Sequence, residues 1–175
     1  VWVALLRGVN VSGRNKVPMK DLRSIVESLG HTDVETYLQS GNVVFREGAP
    51  ATPEGLREAV RKALDVDVPV LLRSAKDLRE VLQDSPFAAD ELDPTQVHAT
   101  FLETAPGGDG GAPSPRAGRD EFRLIGREVH LFTPGGYGNT VYVNPFWEKR
   151  FATVATTRNW RSVTALLAMA EQRES

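Results

Sequence analysis

Apolar spacing changes along the chain up to Arg73 in an order that few folds accommodate. Val3 to Val9 is a short, almost unbroken apolar run interrupted only by Arg7, the mark of a buried central strand. Met19, Leu22, Ile25, Val26 and Leu29 then recur at helical spacing, with Pro18 at the favoured first position and Gly30 at the favoured end. Two β-rich pieces follow, Val34 to Gln39 and Asn42 to Arg46, joined through Ser40-Gly41 as a hairpin. Thr52-Pro53 opens a second helix with Leu56, Val60, Ala63 and Leu64 on one face, and Pro69 to Arg73 reads as another strand. The order is β-α-β-β-α-β, the ferredoxin-like or split βαβ pattern.

The remainder repeats this theme more loosely. Ser74 with Asp77 three residues on predicts a capped connecting helix ending at Ser85-Pro86. Val97 to Glu103 reads as a strand. Phe122 to Ile125 and Glu128 to Phe132 form a hairpin through Gly126-Arg127. Asn144-Pro145 caps a short helix carrying Phe146 and Phe151, Ala155 to Arg158 is a strand, and Trp160, Val163, Leu167 and Ala170 line a last helix. Between Ala105 and Asp120, Gly, Pro, Ser and Ala stand where a helix is expected, so this stretch reads as a mobile loop. The expected architecture is α+β: two ferredoxin-like (α–β plait) halves with antiparallel sheets, the second degraded. Residues 1–74 form the first half, 75–95 a connecting helix and linker, and 96–175 the second half with the C-terminal helix.

With 175 residues, 41% of them hydrophobic, the chain can bury one ordinary core or two small ones. A formal net charge of -2 argues against bulk attraction to nucleic acid, while a local basic patch stays open. The absence of cysteine removes disulfides, thiol nucleophiles and cysteine metal sites. No basic-then-apolar leader precedes Trp2, and no apolar run approaches the ~18 residues of a membrane span. The expectation is a cytoplasmic protein without a membrane partner, and no cofactor is called for.

Topology predicts where a site would lie. In a β-α-β-β-α-β plait, the loop after the first strand, the tip of the central hairpin and the loop before the fourth strand emerge at one end. Here these are Gly8 to Val17, Gln39 to Asn42 and Asp65 to Val68. That rim gathers Asn10, Arg14, Asn15, Lys16, Gln39, Ser40 and Asn42, with Arg7 of the strand beneath it, and their donors and cations suit a phosphate, a carboxylate or a nucleobase edge. Gly, Asn and Ser are also ordinary turn formers, so a reading without a ligand stands beside it. One detail favours a ligand: Val17 stands where a capping side chain is preferred ahead of Pro18.

Three motifs resemble a known family. Leu5-Leu6-Arg7-Gly8-Val9-Asn10-Val11-Ser12-Gly13-Arg14-Asn15-Lys16-Val17-Pro18-Met19, Tyr37-Leu38-Gln39-Ser40-Gly41-Asn42-Val43-Val44-Phe45 and Ala155-Thr156-Thr157-Arg158-Asn159-Trp160 are similar to signatures of the bacterial domain-of-unknown-function 1697 family. The resemblance implies two α–β plait halves in one chain and implies no reaction. Two departures stand out: the Ala105 to Asp120 segment replaces a usual helix, and Asn139-Thr140 stands where that family commonly has Ser-Lys.

Weighed singly, the motifs restrict the chemistry. Gly8 and Gly13 bracket four residues as in a phosphate-binding loop, but Arg14-Asn15 replaces the Lys-Ser/Thr pair, so nucleotide hydrolysis of that kind is disfavoured. Arg7 has an ion-pair reading beside a ligand one. Thr157 or Asn159 can cap the last helix and Trp160 anchor it, while Arg158 with the threonines can instead hold an anion. His31 follows a helix end, where the dipole favours an imidazolium. His98 and His130 lack metal-binding spacing, and Asp90, Glu91 and Asp93 read as a solvated loop. The leading expectation is binding of an anionic small molecule or a nucleic acid, a nucleotide or RNA segment first, through the rim and Arg158. An enzyme acting on a phosphorylated or carboxylated metabolite, using Arg158 and His98, is one alternative. A protein-interaction module presenting Tyr137, Tyr142, Phe146 and Trp147 is the other. Oligomeric state stays open.

Overall fold

A computed structural model describes residues 1–87 and 91–175; Asp90, one of the three acids read as a solvated loop, lies outside them. Two compact units divide the chain: Val1–Arg79 with Ala165–Ser175, and Glu80–Thr164.

In the first unit, strands β1 (Trp2–Leu6), β2 (Thr32–Tyr37), β3 (Asn42–Arg46) and β4 (Val70–Ser74) alternate with helices α1 (Met19–Ser28) and α2 (Pro53–Leu64). The sheet runs β2-β3-β1-β4, every neighbour antiparallel. The register fixes its two faces. Ala4 pairs with Val43 and Leu72, and Trp2 with Phe45, so these share one side with Leu6 and Val70. They form a core with Leu22, Ile25 and Val26 of α1 and Leu56 and Val60 of α2. Val3, Leu5 and Val44 on the other side are also fully buried. Burial on both faces is why β1 reads as continuous rather than alternating. It is shorter than its apolar run, because Arg7 onward turns into the loop.

Local signals are realised unevenly. Thr52 Oγ1 accepts from Gly55 N–H, and Ser74 and Asp77 exchange bonds as a capping box ahead of α3 (Ala75–Asp84). Pro18, by contrast, occupies the cap of α1 rather than its first turn, and no side chain caps that helix. The C-terminal helix α5 (Trp160–Glu174) begins in the second unit, while its residues from Ala165 onward group with the first. Arg173 explains this: nearly buried, it donates to Asp33 O, to Met169 O and to Glu35 Oε2, each at 2.8 Å. The Asp33 carbonyl lies in a β-bulge of β2, where the Asp33 backbone has φ 51°.

The second unit repeats the sheet order with β5 (Val97–Leu102), β6 (Glu121–Ile125), β7 (Glu128–Phe132) and β8 (Ala155–Asn159), arranged β6-β7-β5-β8 and antiparallel throughout. Both sheets are therefore ferredoxin-like in strand order. Only one of the two crossovers is helical here, α4 (Asn144–Phe151). The other is the Gly/Pro-rich segment, which carries neither helix nor strand. It is not a loose loop, however. Arg150 Nη1 donates to Gly110 O and Ala112 O, Tyr142 Oη accepts from Ser114 N–H, and Ala117 is buried in the core. The glycines let the backbone lie against aromatic rings: a Cβ on Gly110 would come within 2.9 Å of Phe122 Cε2. Composition correctly forbids a helix there, and packing supplies the order that composition cannot.

His130, 2% exposed on β7, gives this unit an acid-sensitive point. Burial pushes its pKa down to about 4 against a weaker opposing pull from Asp84. The folded imidazole is neutral at pH 7. Between its ordinary value of 6.5 and about 4 the unfolded chain binds more protons than the folded one, so stability falls as pH falls through that window. The full effect is roughly 3 kcal/mol. Urea midpoints measured from pH 7 to pH 4 are expected to decline, and His130→Leu is expected to flatten much of that decline.

Candidate functional site

The rim loops of the first unit do meet. Leu6 N–H donates to Gly41 O, Arg7 N–H to Pro69 O, and Asn10 Nδ2 to Gln39 O at 2.7 Å, which ties the three connections to one end of the sheet. Within the first loop, Ser12 and Gly13 both have positive φ (51° and 73°), and Arg14 N–H donates to Val11 O at 2.9 Å. These are the marks of a type I′ two-residue turn. Val11 and Arg14 pair as a bridge, and Asn10 N–H donates to Asn15 O. The loop is a miniature hairpin, a finger standing off the sheet end.

Its asparagines hold the finger rather than face a ligand. Asn10 donates to Val17 O and Gln39 O and accepts from Val17 N–H. Asn15 Nδ2 donates to Gly8 O, and buried Asn42 donates to Tyr37 O and Ser40 Oγ. Both Nδ2 donors of Asn10 and of Asn42, counted from sequence as contacts for an anion, are thus committed to the protein's own oxygens, and exposed Asn15 commits one of its two. Asn tolerates positive φ and bonds nearby backbone, which is why it recurs here, with Asn10 at φ 55° and Asn15 at φ 48°. The Val17 N–H goes to Asn10, while Pro18 rather than Val17 holds the cap position of α1 and no side chain caps the first N–H groups of that helix.

What the finger displays is different. Arg14 and Lys16 are exposed, and their side chains have no ion-pair or hydrogen-bond partner among the described residues. Val11 is 58% exposed, and Leu38, beside Gln39 on the hairpin tip, is 57% exposed. Ser40 and Gln39 are exposed and Arg7 is half-buried. Sequence reasoning missed Val11 and Leu38. The signal was an apolar residue inside each polar turn.

Arg158 belongs to the second unit and is nearly buried there. Its Nη1 donates to Thr156 Oγ1 and Thr157 O, and burial pushes its pKa down to about 10, so it remains charged at neutral pH. Asn159 is the side chain that caps α5, accepting from Ser162 N–H at 2.8 Å. Asn144 does not cap α4 but accepts from Thr157 Oγ1. Trp160 is half-buried.

His98 stacks on Tyr137 with ring centroids 4.8 Å apart, and burial holds its imidazole below the usual range. Burial likewise lowers His31, which accepts from Gly48 N–H and lies against Phe45, so the neutral ring is favoured over the imidazolium expected after a helix end. Tyr142 and Trp147 are fully buried in the second unit's core, which corrects their reading as an apolar interaction surface. No group of His, Cys, Asp or Glu able to hold a metal occurs among the described residues. Nor is any of their helices long and apolar enough to cross a membrane.

Comparison with known proteins matches the geometry. A solved structure titled as that of the conserved bacterial protein SP0830 from Streptococcus pneumoniae is similar with a TM-score of 0.63 at 24% identity. The match covers 97% of each chain, and at that identity it speaks for the fold alone. No curated protein matches the chain. The family described as protein of unknown function (DUF1697) matches residues 1–130, which takes in the finger, the hairpin tip and both strands that frame them. The chain belongs to the DUF1697 family.

Proposed function

We propose that the finger binds an anionic strand, with a single-stranded RNA segment as the favoured ligand. The observation that carries this reading is the division of labour within the loop: its amides lock the backbone, leaving Arg14 and Lys16 uncommitted at a fixed position. A pre-ordered loop loses little entropy on binding. Two cations beside the exposed Val11 and Leu38 suit a ligand that alternates phosphates with flat apolar bases. Three non-glycine residues of the loop have positive φ, a conformation that an unconstrained loop avoids.

The overall charge of -2 means that contact is local and modest in strength. Fluorescence anisotropy with a labelled single-stranded RNA is the test. If Arg14 and Lys16 each neutralise one phosphate, log affinity should fall against log salt with a slope of about −1.4. The double variant Arg14→Glu/Lys16→Glu is expected to lose binding while keeping its melting temperature. Salt-independent binding, or equal binding by the double variant, would refute the reading. The enzymatic alternative lacks a comparable observation, since Arg158 is nearly buried and bonded to Thr156 and Thr157.

A further inference from the structure

We infer that the second unit carries a separate pocket for a small phosphorylated polyol, between the segment around Gly118 and the turn at Gly135-Gly136. A cleft of about 440 Å³ lies there, bordered by Arg116, Arg119, Asp120, Gly135, Gly136 and Asn139. Its first wall is a fixed turn. Ala117 N–H donates to Ser114 O and Asp120 N–H to Ala117 O, Gly118 supplies the positive φ of 59°, and Ala117 itself is sunk in the core with Tyr142 and Trp147. Arg116 and Arg119 flank that buried anchor. Both are exposed, and their guanidinium groups have no partner among the described residues.

The opposite wall is arranged to tolerate an anion. A bare glycine turn normally presents carbonyl oxygens as well as N–H groups, and those oxygens repel phosphate. Here the Pro134 carbonyl accepts from Gln96 Nε2 at 3.0 Å and the Gly135 carbonyl from Asn139 Nδ2 at 2.8 Å. Side-chain amides thus neutralise the acceptors of the turn. Glycines also keep both walls bare: a Cβ built on Gly118 of the first wall, or on Gly135 or Gly136 of the second, would meet nothing within 4 Å.

Ligand class follows from the charges. Two guanidiniums match the oxygens of one phosphate in bidentate fashion. Asp120 is the one carboxylate on the border among the described residues, and an acceptor there disfavours a bare anion but welcomes a hydroxyl donor on the same molecule. A sugar phosphate meets the two demands with separate groups, a fully ionised phosphate and a ribose hydroxyl, whereas inorganic phosphate must turn its own P–OH toward Asp120 and away from the guanidiniums.

Isothermal titration of the full chain with ribose 5-phosphate, inorganic phosphate and ribose tests this. Saturable binding of ribose 5-phosphate, tighter than that of either control, is expected. Arg116→Ala/Arg119→Ala should weaken it by about 10-fold to 100-fold. Asp120→Asn should narrow the preference over inorganic phosphate. Gly135→Leu should block the cleft without backbone strain, because Gly135 is outside the positive-φ region. Arg14→Glu/Lys16→Glu should leave ribose 5-phosphate binding unchanged, so the outcome is independent of the finger. No saturable binding of ribose 5-phosphate, or undiminished binding in both the Arg116→Ala/Arg119→Ala and Gly135→Leu variants, overturns the inference.

Discussion

Trp147→Ala is expected to lower the stability of the chain by about 3–5 kcal/mol, the range for removing a large buried aromatic side chain. Trp147 is fully buried and sits at the hub of the second unit's ring cluster. Ring centroids of Phe146, Phe122, Tyr142 and Phe151 lie 4.8, 5.0, 5.1 and 5.6 Å from it. Arg150 places its guanidinium over the same group, 4.7 Å from the Phe146 ring, while clamping the Gly/Pro-rich segment through Gly110 and Ala112. Loss of the indole therefore removes the support of the rings that meet that segment, Phe122 and Tyr142, as well as the core of α4. Trp147→Phe should lose only roughly 1–2 kcal/mol, because it keeps most of the apolar volume and deletes an indole N–H with no partner. Chemical denaturation of both variants measures this. An alanine variant within 1 kcal/mol of the parent, as an order-of-magnitude threshold, would mean that the cluster is not the unit's core.

Gly41→Ala is expected to lose about 2–5 kcal/mol, combining two penalties. Its φ of 83° lies in the region that side chains avoid, and an added Cβ would stand 2.6 Å from Val9 Cγ2 and 2.8 Å from Leu6 Cβ. Both neighbours are buried, so neither can swing aside. The Gly41 carbonyl also receives Leu6 N–H, so any shift of the turn disturbs the end of β1 and the base of the finger. Thermal melting should show the loss, and under the function proposed above RNA binding should fall as well even where the variant remains folded. An unaltered melting temperature would show that the turn can move freely.

Legibility differed between fold and site for a physical reason. Strand and helix positions up to Ser74 follow from apolar periodicity, because each element sends at least one residue into the core and that burial imposes its own period. Asn42–Arg46 and Glu128–Phe132 match the structure residue for residue, since each starts or ends at a tight turn that a register slip would break. Boundaries drifted at β1 and β2, where the backbone leaves the ladder through a loop or a bulge that no residue type announces. At the rim, residue type was visible but its use was not. Asn10 could have faced solvent or its own loop, and only the position of Val17 and Gln39 in space decides that.

Strand order, antiparallel pairing and the convergence of three loops at one sheet end were written in the sequence alone, because the alternation of buried elements admits few connections. Tertiary structure alone determined that the rim amides are internal braces, that the Gly/Pro-rich segment is clamped by Arg150, and that Arg173 draws the end of the chain to β2. Each of those outcomes joins residues far apart in the chain or selects among equally available partners. Hydrogen bonds form with whichever group packing brings within reach, and a sequence names the donors without naming that group.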